Sequence, residues 1–283
     1  MQPLTQGSRA MENAEDKFLS ILYRHVRQLF KTTPLPSHDH EHHLRVWCYA
    51  KSLVNELAGL KVFITQEQAD NLILAVFFHD TGLTRNLKAD HGLDSRMLCE
   101  QFIHKNPRLF KTDTAPALIA IEKHDNKNYI TEETENSFSV LTLLSLCDDL
   151  DAYGAIGVLR YAEIYLLRGV SSGELSGKVL ANIKNRFDYF ASFVWIPEVF
   201  SQQHRNRFDF TCKFFQELSK NPESETSMAN KKVINIYIDQ VTSGKTGIED
   251  FPDILQDSDN NIIQAFGKVL RAELKSFFIN LPE

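Results

Sequence analysis

The stretch Leu72-Ile73-Leu74-Ala75-Val76-Phe77-Phe78-His79-Asp80 decides how this chain is read. An unbroken apolar run ends on an imidazole and a carboxylate. A segment that hydrophobic belongs in a core, and burying an ionised carboxylate is costly unless it is paired or coordinates a metal. The pair His79-Asp80 therefore needs a compensating partner, and a divalent cation is a natural one.

Just upstream, Thr65 followed three residues later by Gln68 predicts a capping box that opens a helix over 66–79. Gly82 offers a terminator beyond it. Working outward, apolar residues recur at helical spacing over 16–30 (Phe18, Ile21, Leu22, Val26, Phe30), where Pro34 and Pro36 stop the pattern. They recur over 40–60 through Val46, Ala50, Leu53, Val54 and Leu57. Further helices are expected over 90–104, 115–124, 137–147, 155–167, 175–193, 197–218 and 262–278. The run Val233–Ile238 alternates and suits a strand or a helix equally. The expected fold class is all-α.

The expected organisation is a flexible polar N-terminus over 1–15, one helical domain over 16–220, and a C-terminal helical appendage over 221–283 packed on the main body. Residues 221–232 are polar enough to be a linker. An overall length of 283 residues suffices to bury a sizeable core. A hydrophobic content of 43% with 24% charged residues belongs to an ordinary soluble globular protein. The net charge of -6 argues against general attraction to nucleic acid or anionic membranes. No stretch approaches the ~20 apolar residues that span a bilayer. Cys48, Cys99, Cys147 and Cys212 lack CxxC spacing and are read as buried free thiols. The expected compartment is a reducing cytoplasm.

Other residues that could carry chemistry flank the opening pair. In His38-Asp39-His40-Glu41-His42-His43, His42 stands where an apolar helix begins and shares a face with Arg45. His38 and His40 follow Pro36 in a turn and are read as solvated. Downstream, Cys147-Asp148-Asp149-Leu150-Asp151-Ala152 supplies carboxylates. The ordered set His42-x-x-Arg45-Val46, His79-Asp80 and Asp148-x-Leu150 resembles the HD domain superfamily, and bacterial HD-domain metal-dependent phosphohydrolases in particular. Flanking segments match as well: Ser37-His38-Asp39, His79-Asp80-Thr81-Gly82-Leu83, and the stretch from Leu150 to Arg160. The resemblance covers about residues 38–165.

The resemblance implies a helical bundle around a divalent metal held by His42, His79, Asp80 and Asp148. Two imidazoles and two carboxylates suit manganese, iron, nickel, cobalt or magnesium. The implied activity is hydrolysis of a phosphate ester or anhydride by a metal-activated water. The implied partner is a small phosphorylated substrate, with nucleotides included and a homo-oligomer left open. Some members of the superfamily hold two metals, which makes His91 and His124 candidates for a second metal or for catalysis. Arg45 and Arg160 are candidate phosphate clamps, or ion-pair partners of Asp148 or Asp149; Lys88 and Lys123 are weaker candidates. Asp151 either holds a ligand's second imidazole nitrogen or caps the next helix. Two alternatives stand beside the phosphohydrolase. One is a non-catalytic, metal-stabilised ligand-sensing or interaction module; the other is a dinuclear-iron HD-type oxygenase that needs His91 and His124.

Overall fold

A computed structural model describes residues 6–88, 90–125, 138–244 and 247–277. Among them the chain forms twelve α-helices, one short 3-10 segment and no strand, so the fold is all-α. In chain order these are α1 (Gln6–Phe30), α2 (His40–Gly59), α3 (Gln66–Phe78), the 3-10 segment Thr81–Thr84, α4 (His91–Lys105), α5 (Ala115–Lys123), α6 (Val140–Asp151), α7 (Gly154–Leu167), α8 (Ser172–Ser192), α9 (Glu198–Lys220), α10 (Glu225–Thr242), α11 (Phe251–Gln256) and α12 (Asn261–Lys275). No described helix is long and apolar enough to cross a membrane. All four cysteines are free thiols, Cys99 and Cys147 buried and Cys48 and Cys212 half-buried.

Helix α3 is the axis. Every residue from Ala69 to Phe78 is buried, as expected of a helix apolar on all sides. It starts at the expected capping box, where Thr65 Oγ1 accepts from Gln68 N–H and the Gln68 side chain accepts from Thr65 N–H. Helices α1, α2, α5 and α6 pack around it. Gly82 matters for space and not for a helix-ending conformation: a Cβ there would lie 2.1 Å from His91 O, so α4 could not approach.

Several expected boundaries are corrected. The flexible stretch 1–15 is helical from Gln6 onward, with Ala10, Met11 and Ala14 buried; residues 1–5 lie outside the described part, as do the expected helix ends at Ser137 and Phe278. Helix α6 runs to Asp151, past the expected end at 147. Its acidic end needs no solvated loop because arginines from α2, α7 and α8 neutralise it. The polar stretch 221–232 is a linker only to Ser224, whose side chain caps α10, and the ambiguous run 233–238 lies inside that helix.

The C-terminal helices are more than an appendage on a finished body. The start of α7 has no side-chain cap of its own. Glu273 from α12 supplies one, accepting from Ala155 N–H at 3.0 Å and Ile156 N–H at 3.2 Å. Gly154 makes room for it at φ +81, where a Cβ would meet the Glu273 carboxylate. Arg207 from α9 donates to Leu150 O and Tyr153 O at the end of α6. The α6–α7 corner, which carries the downstream aspartates and Arg160, is thus clamped by residues distant in sequence. Replacing Glu273 with Ala is expected to cost about 1–2 kcal/mol in urea unfolding, with Gln intermediate, since a helix N-terminus loses a charged cap. An unchanged unfolding midpoint would contradict this.

Candidate metal centre

The end of α3, the start of α2 and the end of α6 converge on one buried point. His42, His79, Asp80 and Asp148 each place a ligating atom within 4.8 Å of all the others. His42 Nε2 lies 3.1 Å from His79 Nε2 and 3.3 Å from Asp80 Oδ2. Asp148 Oδ1 lies 3.6 Å from His42 Nε2 and 3.7 Å from His79 Nε2. Asp80 also reaches the other way: its Oδ1 is 2.9 Å from His91 Nε2 and 3.1 Å from His124 Nε2. That second group again has its ligating atoms within 4.8 Å of one another.

The outer nitrogens settle what faces inward. His42 Nδ1 donates to Asp151 Oδ2 at 2.8 Å, His79 Nδ1 to Val76 O at 2.8 Å, His91 Nδ1 to Lys88 O at 3.0 Å, and His124 Nδ1 to Ile121 O at 2.8 Å. A neutral imidazole with its proton on Nδ1 presents a bare lone pair at Nε2. Two such lone pairs face each other across 3.1 Å, and two more face an acceptor-only carboxylate. A cation at each group relieves this: protons on the rings, or a metal held within each of the two groups. Carbonyl and carboxylate partners on the outer nitrogens are also what orients metal-ligating histidines. The donor set thus fits a divalent ion of the manganese, iron, nickel, cobalt or magnesium type.

Arg160 adds a complication, because its Nη1 crowds both nitrogens of the His42 ring. An atom close to both cannot lie along the Nε2 lone pair, which points away from Nδ1. That Nη1 donates to Asp151 Oδ2 at 2.9 Å, the same oxygen that lies 2.8 Å from His42 Nδ1.

The electrostatics follow the geometry. Burial pushes the Asp80 carboxyl up, but His79 and the hydrogen-bonding His124, His42 and His91 outweigh it and hold it well below the carboxylate range. Asp148 is likewise held low against burial by His79, Arg160 and Arg186. Burial lowers the His42 imidazole, helped by Arg160. His91 and His124 are raised despite burial because Asp80 and Asp125 favour their charged forms. A metal arriving here displaces protons, so its affinity depends on pH.

The site opens on a cavity of about 260 Å³ lined by Asp80, Asp148, His91, Asp125, His38, Tyr161 and Asn182, with Arg160, Arg168 and Arg186 on its walls. The expected ligands His42, His79, Asp80 and Asp148 therefore come together, and so do His91 and His124. Asp151 holds the second nitrogen of His42, the first of its two expected roles. Arg160 lines the cavity while bonded to Asp148 and Asp151, which joins its two readings. Arg45 is corrected. It does not reach the cavity; its buried guanidinium is committed to Asp151 and Glu249. Lys88 and Lys123 are exposed and stand outside the lining.

His38 is a second correction. It is buried, with 6% of its surface exposed, and lines the cavity instead of lying in a solvated turn. Burial and Arg160 push its imidazole down to about 4, so the ring is neutral near pH 7. His40 is half-buried, between Asp39 and Glu41. Residue-by-residue reading missed Arg186, which reaches back from α8 to Asp148 and Asp149. Nothing in its neighbourhood along the chain marks it. Asp125 was more accessible, because His124-Asp125 repeats the imidazole–carboxylate pairing of His79-Asp80. No family model matches this chain, and no curated protein or solved structure matches it either.

Proposed function

We propose that the protein is a metal-dependent phosphohydrolase of the HD superfamily that cleaves a phosphate ester or anhydride, with nucleotides among the candidate substrates. The observation that carries this reading is the convergence of imidazole lone pairs and carboxylates beside an arginine-walled cavity. His42, His79, Asp80 and Asp148 would hold one divalent ion. Asp80, His91 and His124 would hold a second, with Asp80 between them. When bound, such an ion neutralises phosphoryl charge and lowers the pKa of a coordinated water from about 15.7 toward ~7.

The chain's own residues do the rest. Arg160 and Arg186 fix the Asp148 carboxylate from two sides, so it cannot turn away from the site. Their guanidinium groups, with Arg168 exposed at the rim, make one wall attractive to a phosphoryl anion. Asp151 keeps the His42 proton on Nδ1 and its lone pair inward. Phosphoryl transfer asks mainly for positioning and charge neutralisation, and these groups supply both.

The test is phosphate release by purified protein across nucleotides and simple phosphomonoesters, with manganese, iron, cobalt, nickel and magnesium supplied in turn. Release that chelation abolishes supports the reading; no release from any substrate with any metal overturns it. Chelation is also expected to lower thermal stability. At ion concentrations about 100-fold above Kd, linkage contributes about 2.7 kcal/mol. In a chain of this size that corresponds to a Tm loss of roughly 4–5 °C. An unchanged Tm after exhaustive chelation would remove the metal from the proposal.

The placement of Asp80 between two histidine groups favours one second reading, a dinuclear-iron oxygenase. Two irons per chain together with oxygen consumption would select it; one metal and no oxygen uptake would exclude it.

A further inference from the structure

Glu163 on α7 is fully buried, yet it is neither a ligand of the candidate centre nor part of the cavity lining. Its carboxylate accepts from Tyr237 Oη at 2.7 Å, from Ser37 Oγ at 2.6 Å, and from Ser37 N at 3.3 Å. Ser37 Oγ is in turn 2.8 Å from His38 Nδ1. A count of protons orients the whole chain of bonds. Serine has one hydroxyl proton, and a carboxylate can only accept, so that proton lies on the Glu163 side. Ser37 Oγ is then an acceptor toward His38, and Nδ1 of the ring must carry the hydrogen. The neutral ring is left with a bare lone pair on Nε2. That atom has no hydrogen-bond partner among the described residues, and the ring lines the cavity.

The cavity is therefore polarised. Arg160, Arg168 and Arg186 offer only donors, which suits phosphoryl oxygens. His38 Nε2 offers only an acceptor, and a phosphate oxygen set against it would be repelled. A group that carries its own hydrogen is what fits there. We propose that His38 is a specificity-determining acceptor, which takes a hydrogen bond from a second hydroxyl on the alcohol portion of a phosphate monoester, with Ser37 and Glu163 as its positioning residues. The inference rests on the phosphohydrolase reading for the identity of the phosphate, and it selects hydroxylated esters over plain alkyl ones.

The experiment compares glycerol 3-phosphate with propyl phosphate on metal-replete full-length protein, by calorimetric binding as well as by phosphate release. Wild type is expected to favour the hydroxylated ester by roughly ten-fold, the scale of one well-made hydrogen bond in a closed site. His38→Phe is expected to bring that ratio to about one, and His38→Gln, whose amide oxygen can accept, to restore part of it. Glu163→Gln gives an independent readout. With the amide oxygen kept by Tyr237, its nitrogen donates to Ser37 Oγ, whose hydroxyl then turns to His38 Nδ1. The ring proton must move to Nε2, which the 15N spectrum of the His38 ring reports directly, and the preference for glycerol 3-phosphate should vanish with it.

Equal binding of the two esters by wild type would overturn the inference, as would an unchanged ratio in His38→Phe or a proton that stays on Nδ1 in Glu163→Gln. Binding of neither ester would overturn it too. Preferential binding of the hydroxylated ester without turnover would leave it standing and remove the hydrolysis reading instead.

Discussion

If the protein is the metal-dependent phosphohydrolase proposed above, Asp80→Ala is expected to lower phosphate release on the order of 10^3-fold or more and to abolish metal binding at this centre. Among the described residues, this side chain is the only one shared by the two histidine groups. One oxygen faces His42 and His79, and the other faces His91 and His124. Losing it removes a ligand from each group and the negative charge that balances four imidazoles. Preorganised charge at a reacting centre is worth at least two to three orders of magnitude per group removed. Asp80→Asn sharpens the test, because it keeps the shape and hydrogen-bonding reach while deleting the charge. Elemental analysis of both variants beside wild type separates the outcomes. Full metal content with full turnover in Asp80→Ala would end the assignment of this centre.

The second large effect is expected at Asp151, and on stability before activity. Asp151 is fully buried and accepts from Arg45 through Nε at 3.0 Å and Nη2 at 3.1 Å, from Arg160 at 2.9 Å, and from His42 at 2.8 Å. Asp151→Ala leaves the Arg45 guanidinium with Glu249 as its one hydrogen-bonding carboxylate among the described residues and takes one of two carboxylates from Arg160. Breaking a buried pair by removing one partner costs about 3–5 kcal/mol. His42 also loses the group that fixes its tautomer, for which a further 10–100-fold loss of metal affinity is the usual scale. Urea unfolding in the presence of chelator isolates the first contribution, and metal titration of any folded variant reads the second. A loss below about 1 kcal/mol would show that the arginines repair the gap with other acceptors.

The same residue predicts a direction with pH. Burial opposes its charge, but Arg45, His42 and Arg160 hold its carboxyl well below the ordinary value of 3.8. Its stabilisation is therefore present in full above that value and is lost as pH falls through the lower folded-state value.

The helices themselves were legible because they depend on local spacing. The capping box at Thr65 and Gln68, the apolar run through Phe78 and the spacing over α2 each predicted an element that forms where expected. The four candidate ligands were legible for a related reason: an imidazole or carboxylate at the edge of a core-forming run is chemically out of place without a partner. Boundaries failed where a remote residue altered the local balance. Helix α6 continues through Asp148, Asp149 and Asp151 because Arg186, Arg160 and Arg45 neutralise it, and α7 starts at a glycine because Glu273 caps it from α12. Arg45 illustrates the limit from the other side. Its position one turn after His42 suits a phosphate clamp, but the same geometry aims it at Asp151, which the end of α6 brings alongside.

From the order of residues alone come the all-α class, the burial of α3 and the four groups that ask for a cation, because helical period and the cost of a buried charge operate over a few neighbouring residues. Three-dimensional packing decides how those groups are used. It places Asp80 between two histidine groups, sends Arg45 away from the cavity, and brings Ser37 against Glu163 so that His38 faces inward as an acceptor. Those outcomes depend on which partner each donor and acceptor meets across 11 to 126 positions of chain, and a hydrogen bond is specified by distance and direction in space.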